Sequence, residues 1–322
     1  MPHQPMPQSR LLTIPPEHAG RRLDQSLAEL LPEYSRSRIQ AWIDAGLVRV
    51  ALGDTPASAS RKLKVWGGET VSVEAEAHPA ELPHQAEAID LDIVFEDDAI
   101  LVIDKPAGLV THPGAGNWEG TLLNALLHHV PAAATLPRAG IVHRLDKDTS
   151  GLMVVAKTLE AQTQLVRDLQ ARAVKRLYWA VAIGQIQPPE GSIEAPIGRH
   201  PTQRVKMAVV EEGRGKPALT HYKVLRQYAE VAWVECRLAT GRTHQIRVHL
   251  AHIGHPLLGD PVYAGRRHGP IAFNRQALHA ARLGLAHPIT GEAMEWEAPP
   301  PEDFAGLLRD LEFSAGVPPA SR

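Results

Sequence analysis

From position 89 onward, the chain carries seven short apolar runs of strand length and only two segments with helical periodicity. The runs do not alternate with helices, which is typical of an antiparallel sheet and not of repeated βαβ units. The strand candidates are 93–95, 100–103, 152–156, 178–183, 220–225, 231–238 and 294–296. The helix candidates are 121–130 and 158–173. This order predicts an α+β fold with a mainly antiparallel sheet.

A different pattern precedes this region. Residues 23–31 place four leucines on one face of a predicted helix, and Ser35 or Ser37 can cap a second helix that ends at Gly46. Apolar residues then alternate in three places, which predicts short strands at Val48/Val50, Leu63/Val65 and Val71/Val73. The sequence therefore predicts a second, smaller domain made of two helices and short strands.

The domain boundaries follow from composition. Between the two patterns lies an acidic stretch with two prolines and no basic residue, and both chain ends are rich in proline and serine. We therefore predict a flexible N-terminus at 1–19, the small domain at 20–76, an acidic linker at 77–88, the large domain at 89–312 and a flexible tail at 313–322.

Charge is distributed unevenly along the chain. The formal net charge is −2, but eleven of the 36 acidic residues lie between Val65 and Asp104, where there is no Lys or Arg. The rest of the chain therefore has an excess of basic residues, so a face that binds phosphates is possible.

The cellular compartment is predicted from what the sequence lacks. Cys236 is the only cysteine, which excludes an intrachain disulfide and fits a reducing compartment. No apolar run reaches the roughly 18 residues of a membrane span, and the N-terminus does not resemble a secretion signal. We expect a cytoplasmic protein without membrane contact.

Three motifs carry the chemistry. They are His143-Arg144-Leu145-Asp146-Lys147-Asp148-Thr149-Ser150-Gly151-Leu152, the segment 104–114, and the segment 240–249. In content and order they resemble the motifs of the RluA-type pseudouridine synthases, and the resemblance extends from about residue 20 to about residue 312. It implies a pseudouridine synthase domain at 89–312 in which Asp146 is the catalytic residue.

The resemblance also covers the small domain. Two helices, a short sheet and the run Ser35-Arg36-Ser37-Arg38 resemble the S4 RNA-binding domain. Arginines and free amides at the start of a helix form a phosphate site. The resemblance thus implies that Arg36 and Arg38 bind RNA; the alternative is an ordinary capped helix with exposed arginines.

The implied reaction breaks the N1–C1′ bond of uridine, turns the uracil over and joins C5 to C1′. It needs an ionised carboxylate in a dry pocket, and burial alone would raise a carboxyl pKa, whereas an adjacent arginine lowers it by about 1–3 units. Asp146 therefore requires a cationic partner. The resemblance assigns this role to Arg247, and we predict an Asp146–Arg247 ion pair.

A uracil inside an RNA stem must also be flipped out of its stack, which costs a few kcal/mol. Arg144 resembles the family arginine that enters the RNA, and Tyr178 resembles the tyrosine that stacks on the uracil. A base stacked on an aromatic ring gains about 1–3 kcal/mol. For Tyr178 the alternative is a half-buried strand tyrosine.

Several alternatives stay open. Spacing alone does not separate Asp146 from Asp148, which we expect to hold the turn through the amides of Thr149 and Ser150. His143 is expected to be structural. The sequence does not decide whether Asp146 attacks C6 of the base, attacks C1′ or removes a sugar proton to form a glycal.

The resemblance is strongest to family members that modify large-subunit ribosomal RNA, which implies the helix-69 loop uridines of 23S rRNA as substrate. The expected partner is ribosomal RNA, in the large subunit or its precursor, with no obligatory protein partner. The alternatives are another ribosomal or transfer RNA uridine, or an S4-bearing RNA-binding or ribosome-assembly factor without activity. We expect no organic cofactor and no metal, since the histidines at 244, 249, 252 and 255 lack zinc-site spacing and are expected to face solvent or RNA.

Overall fold

The computed structural model describes residues 8–52, 55–75, 84–114, 116–203 and 206–314. They separate into two compact units that meet in sequence between residues 83 and 84. Each unit has a buried core of its own, and the sheets are almost entirely antiparallel. The predicted α+β class is confirmed. None of the helices in the described ranges is long and apolar enough to cross a lipid bilayer.

The N-terminal unit is a four-stranded antiparallel sheet with two helices packed on it. The strand order is β1-β4-β2-β3. In chain order the elements are β1 (Gln8–Thr13), α1 (Leu23–Leu30), α2 (Arg36–Asp44), β2 (Val48–Leu52), β3 (Thr55–Ala57) and β4 (Thr70–Ala75). The alternating valines of β2 and β4 point inward onto Leu23, Leu27 and Ile39, so the core is built from the apolar pattern in the sequence.

The second helix begins and ends as expected. The Ser35 hydroxyl accepts a hydrogen bond from the Arg38 amide (3.3 Å), and Gly46 adopts a positive φ just after the helix. The strand expected around Leu63 and Val65 is reduced to one isolated bridge between Lys64 and Arg22.

The expected flexible N-terminus, 1–19, is wrong from residue 8 onward. Strand β1 pairs with β4 along its whole length, and Ile14 is fully buried in the core. The polar composition of residues 1–10 concealed this edge strand. Of the expected linker, residues 77–83 lie outside the described residues, and 84–88 belong to the C-terminal unit, where Glu87 bonds to the backbone of Gly120.

The C-terminal unit is organised around one large sheet of order β5-β6-β7-β14-β8-β13-β12-β9, with β15 paired to β14. The strands of this sheet are β5 (Ile93–Glu96), β6 (Ile100–Lys105), β7 (Ser150–Ala156), β8 (Lys175–Ile183), β9 (Glu190–Glu194), β12 (Leu219–Gln227), β13 (Val231–Leu238), β14 (Leu278–Ala286) and β15 (Ala293–Glu297). A separate hairpin pairs β10 (Ile197–Arg199) with β11 (Met207–Val209).

Helices cover both faces of this sheet. They are α3 (Leu122–His129), α4 (Leu159–Gln170), α5 (Gln245–His252) and α6 (Glu302–Ser314). Alternate residues of β6 serve the two faces: Leu101 and Ile103 join the core that contains α3 and α5, while Ile100 and Val102 join the core that contains α4. Helix α6 extends into the expected tail as far as Ser314; residues 315–322 lie outside the described part of the chain.

The β7–β14 contact is the single parallel pairing among the described strands of the large sheet, and it lies directly after the 143–149 loop. Gly151 makes this pairing possible. Its φ is +115°, and a Cβ at this position would lie 2.3 Å from the carbonyl oxygen of Ala280. Gly151, in the same motif as Asp146, therefore allows the close approach of two backbones next to the loop that carries Asp146.

Candidate active site

Asp146 lies in the 143–149 loop, and this loop is held through its backbone carbonyls. The fully buried Lys105 ammonium donates to the carbonyl oxygens of Pro106 (2.7 Å), Leu109 (2.9 Å) and Lys147 (3.0 Å). Burial lowers the pKa of Lys105 to about 8, although the nearby charges of Asp148 and Asp146 favour the ammonium. The segment 104–114 thus holds the Asp146 loop through the bond from Lys105 to the Lys147 carbonyl.

Two further donors hold the same loop. The buried Thr111 hydroxyl donates to the carbonyl of Leu145 (2.8 Å), and Arg275 Nη1 donates to the carbonyl of Asp148 (3.0 Å). The expected bonds from the Asp148 carboxylate to the next two amides are not among the hydrogen bonds of the described residues; Arg275 fixes the turn instead. The loop is therefore anchored on both sides of Asp146 through backbone carbonyls and not through the side chains of Leu145, Lys147 or Asp148.

Lys105→Met should destabilise the protein, because the three carbonyls would lose their donor while remaining buried. We expect a loss of about 2–4 kcal/mol, which lowers the thermal unfolding midpoint by roughly 5–12 °C for a domain of this size. Lys147→Met, on the same loop but exposed, is the matched control and should shift the midpoint little. An unchanged midpoint for Lys105→Met would contradict the anchoring role.

The predicted Asp146–Arg247 ion pair is present, with 3.0 Å between Arg247 Nη1 and Asp146 Oδ2. Arg247 also binds the fully buried Asp260 through Nε (2.7 Å) and Nη2 (2.9 Å). Burial lowers the pKa of Arg247, but the hydrogen bonds and charges of the two carboxylates outweigh it and raise that pKa overall. The guanidinium is therefore a fixed cation that orients one oxygen of Asp146.

Asp260 is a site residue that the sequence interpretation missed. Its Oδ1 also accepts the backbone amides of Val262 (2.8 Å) and Tyr263 (3.0 Å), so the carboxylate is fixed before it fixes Arg247. The signal was the Asp-Pro-Val-Tyr run after Gly259, because an Asp that caps its own turn is typical of such a segment.

His244 faces Asp146, with 3.8 Å between its Nε2 and Asp146 Oδ1. The Tyr263 hydroxyl lies 2.8 Å from His244 Nδ1 and accepts the Met207 amide (3.0 Å). The hydroxyl proton of Tyr263 is available to Nδ1, and in the tautomer that accepts it the Nε2–H is directed toward Asp146. His244 is thus a half-buried residue that lines the same cavity as Asp146, so of the two environments expected for it the structure excludes open solvent and leaves the RNA-facing one as a prediction.

Above Asp146 lies a cavity of about 730 Å³. Arg144, Asp146 and Tyr178 all line it, so the structure brings these three predicted residues together. Five arginines line the cavity: Arg138, Arg144, Arg172, Arg176 and Arg242. Among the described lining residues, Asp146 is the only one with a carboxylate, which makes the cavity strongly positive and suited to an anionic polymer.

Tyr178 and Arg144 differ in exposure. Tyr178 is 5% exposed on the face of β8 that joins the α3 and α5 core, and burial raises the pKa of its hydroxyl. Arg144 is exposed at the cavity edge. A buried aromatic side chain thus lines the inner part of the cavity, and an exposed cation lines its edge.

His143 has the structural environment expected of it. Its Nε2 accepts the amide of Val154 (3.1 Å), and burial together with the charge of Arg176 lowers its pKa to about 3. In the described ranges, no group of three His, Cys, Asp or Glu side chains is arranged to hold a metal ion.

Arg36 and Arg38 lie at the start of α2 in the N-terminal unit. Arg36 pairs with the buried Asp24 (2.9 Å), and Arg38 lies over the rings of Tyr34 and Trp42 at 5.0 Å from each ring centre. Both guanidinium groups are thereby held at the helix start.

Comparison with known proteins agrees with this geometry. The family model described as RNA pseudouridylate synthase matches residues 99–252, and the S4 domain model matches residues 21–51. The S4-like N-terminal domain and the pseudouridine synthase domain expected from the sequence are therefore both confirmed.

Curated relatives match over nearly the whole chain. The proteins named "Ribosomal large subunit pseudouridine synthase D" from Nitrosomonas europaea and Haemophilus influenzae are 56% and 55% identical to it. The alignments cover 93% and 95% of this chain and 87% and 96% of those proteins.

Solved structures are also similar. Human RNA Pseudouridylate Synthase Domain Containing 1 has a TM-score of 0.53 at 30% identity, covering 67% of this chain and 86% of that chain. Human RNA Pseudouridylate Synthase Domain Containing 4 has a TM-score of 0.54 at 27% identity, covering 69% of this chain and 93% of that chain.

Proposed function

Because this chain belongs to the RluA-type family of RNA pseudouridine synthases, we propose that it converts uridines of large-subunit ribosomal RNA to pseudouridine with Asp146 as the catalytic residue. One observation supports the assignment of Asp146 above all. It is the single carboxylate among the described residues that line an arginine-rich cavity, and an ion pair with Arg247 fixes it there.

The two oxygens of Asp146 have different surroundings. Oδ2 accepts a hydrogen bond from Arg247, whereas no side-chain hydrogen bond to Oδ1 is present among the described residues, and His244 Nε2 lies 3.8 Å from it, beyond hydrogen-bond range. Oδ1 is therefore the oxygen free to act on the substrate. His244 can donate to this oxygen once the substrate closes the site.

The reaction needs no external atom. The N1–C1′ bond breaks, the uracil turns over, C5 bonds to C1′, and the C5 proton is lost while N1 gains one. Asp146 can attack C6, attack C1′ or remove the C2′ proton, and all three place the same oxygen beside the nucleotide. Fixed charges in a site that excludes water are worth more than in solution.

Base flipping explains the positions of Tyr178 and Arg144. We assign to Tyr178 the face on which the extruded uracil stacks, and to Arg144 the space that the base leaves in the RNA. Stacking on an aromatic ring offsets much of the flipping cost.

The target is proposed from the relatives' names and from the motifs. We propose the helix-69 loop uridines of 23S rRNA, in the large subunit or its precursor, and hence a cytoplasmic reaction. Arg36 and Arg38 of the S4 domain supply phosphate contacts, which position the RNA without specifying its sequence.

Tritium release tests activity and target together. RNA labelled at C5 of uridine loses its label as water when C5 bonds to C1′. We expect release from a transcript of the helix-69 hairpin and from 23S rRNA, and none from transfer RNA. If label is released from transfer RNA alone, the proposed ribosomal RNA substrate is wrong. If folded protein releases no label from any cellular RNA, the proposed activity is wrong.

A further inference from the structure

The mechanism above leaves one buried charge unused. Three arginines of the described chain are buried: Arg176, Arg247 and Arg275. Arg247 binds Asp260 and Asp146, and Arg275 binds Asp303. Arg176 is 8% exposed, and among the described residues it has no carboxylate partner and its Nε has no hydrogen-bond partner.

A buried cation without an ion pair is costly, and no carboxylate of the described residues pairs with Arg176, although Glu235 and Glu295 line a neighbouring pocket that Arg176 also borders. Burial lowers the pKa of this guanidinium. The nearby His143 has a pKa of about 3 and is neutral, so it supplies no charge. Asp146, the one carboxylate among the described residues of the cavity, is already bound by Arg247. A buried charge without a partner destabilises a fold, so such a group is expected where a ligand supplies the missing anion.

The Arg176 guanidinium lies directly against the backbone of Gly241. Gly241, in the turn before α5, lies so close that a Cβ there would be 2.7 Å from Arg176 Nη1. The φ of Gly241 is outside the left-handed region, so its backbone tolerates a side chain, and a Cβ there would only require the Arg176 guanidinium to shift. The absence of a Cβ leaves room for the guanidinium at this wall of the cavity.

Arg176 and Tyr178 are two residues apart in β8 and both buried, so their side chains leave the same face of the sheet. Their Cα atoms are separated by about 6.6 Å. A nucleotide whose base stacks on Tyr178 brings its phosphates into the same cavity. Uracil is neutral, so the phosphodiester is the anion that accompanies the substrate.

We propose that Arg176 binds a non-bridging phosphate oxygen of the linkage next to the uridine that is isomerised. The planar guanidinium can present two parallel N–H groups to a phosphodiester. The proposal rests on the RNA substrate proposed above. It assigns to Arg176 the positioning of the flipped nucleotide, with Asp146 acting on the sugar or base.

Methylphosphonate linkages test the contact, because they replace one charged oxygen by a methyl group. Helix-69 hairpins carry the replacement either 5′ or 3′ of the target uridine. For one of the two, wild-type kcat/KM should fall by about 10–100-fold, the range for a hydrogen bond to a charged group. Arg176→Met should lose as much on the unmodified hairpin and then lose less than about threefold more on the modified one.

Two variants separate this contact from a folding defect. Arg176→Lys keeps the charge and should recover part of the loss. Gly241→Ala keeps every charge but displaces the guanidinium, so it should lower kcat/KM as Arg176→Met does. The double variant Gly241→Ala/Arg176→Met should have a kcat/KM no lower than that of either single variant. If the methylphosphonate linkage lowers kcat/KM by the same factor in Arg176→Met as in the wild type, the two changes act independently and the proposal is overturned.

Equilibrium binding supplies a readout that needs no turnover. Losing one phosphate contact should reduce the slope of log binding constant against log salt concentration by about 0.7, the value for single-stranded RNA. If no RNA is isomerised but this slope falls in Arg176→Met, the proposed activity fails and the phosphate contact stands. Suppose instead that the wild type isomerises the hairpin, that Arg176→Met has the same salt slope as the wild type, and that the methylphosphonate linkage does not lower wild-type kcat/KM. The proposed phosphate contact is then wrong.

Discussion

Asp146→Asn is expected to lower the rate of isomerisation by at least about 10⁴-fold, the scale of removing the central group of an active site. The amide has the same shape and can still accept a hydrogen bond from Arg247 Nη1, but it cannot act as a nucleophile or a base. Single-turnover tritium release from the labelled hairpin measures the loss. Binding of the RNA should change little, so the defect should lie in kcat and not in KM.

Asp148→Asn is the matched control for this variant. It removes the same charge two residues further along the same loop. Because Arg275 holds the Asp148 carbonyl and not its carboxylate, we expect less than about a tenfold change. If Asp148→Asn were inactive and Asp146→Asn active, the assignment of the catalytic residue would be reversed.

Arg247→Ala is expected to abolish turnover and to destabilise the protein by about 3–5 kcal/mol, the cost of leaving buried carboxylates without their partner. Asp260 is fully buried, and the side chain of Asp146 is only 14% exposed, so neither is well solvated after the change. Tritium release and the unfolding midpoint together measure both effects.

A double variant separates the two effects of Arg247. Arg247→Met combined with Asp260→Asn removes the buried cation and one buried carboxylate together, which should recover much of the stability. Activity should stay absent, because Asp146 still lacks its cation. Recovery of activity with stability would mean that Arg247 serves only the fold.

The sequence predicted those strands that are short apolar runs containing β-branched residues. Strands β6, β7 and β13 each combine β-branched residues with further apolar ones in a short run, and all three lie where expected. Strand β14, Leu278–Ala286, was missed because it consists largely of Ala, Leu and Gly with no alternation, yet it lies between β7 and β8 in the sheet. Its small residues suit a strand covered on both faces, and that requirement arises from tertiary packing.

Helix α5 was missed for a related reason. Six consecutive residues, from Gln245 to Leu250, are buried, so the helix has no polar face that would produce an amphipathic pattern. His244 begins it in a left-handed conformation, which is uncommon for a residue other than glycine. The direction of the His244 side chain toward Asp146 depends on this turn and could not be inferred from spacing.

The candidate site was predicted in part. The Asp146–Arg247 contact joins residues 101 positions apart, and only the resemblance to a family connected them. Asp260 and the unpaired state of Arg176 depend on which side chains meet inside the fold. Such partners are set by three-dimensional proximity, for which a single sequence carries no periodic signal.

Anchoring through carbonyl oxygens has a consequence for protein engineering. Every residue type presents the same backbone carbonyl, so the bonds from Lys105, Thr111 and Arg275 survive replacement of the exposed Lys147 side chain. A library randomised at this position could therefore be screened for acceptance of new transcripts while the reactive geometry is inherited unchanged.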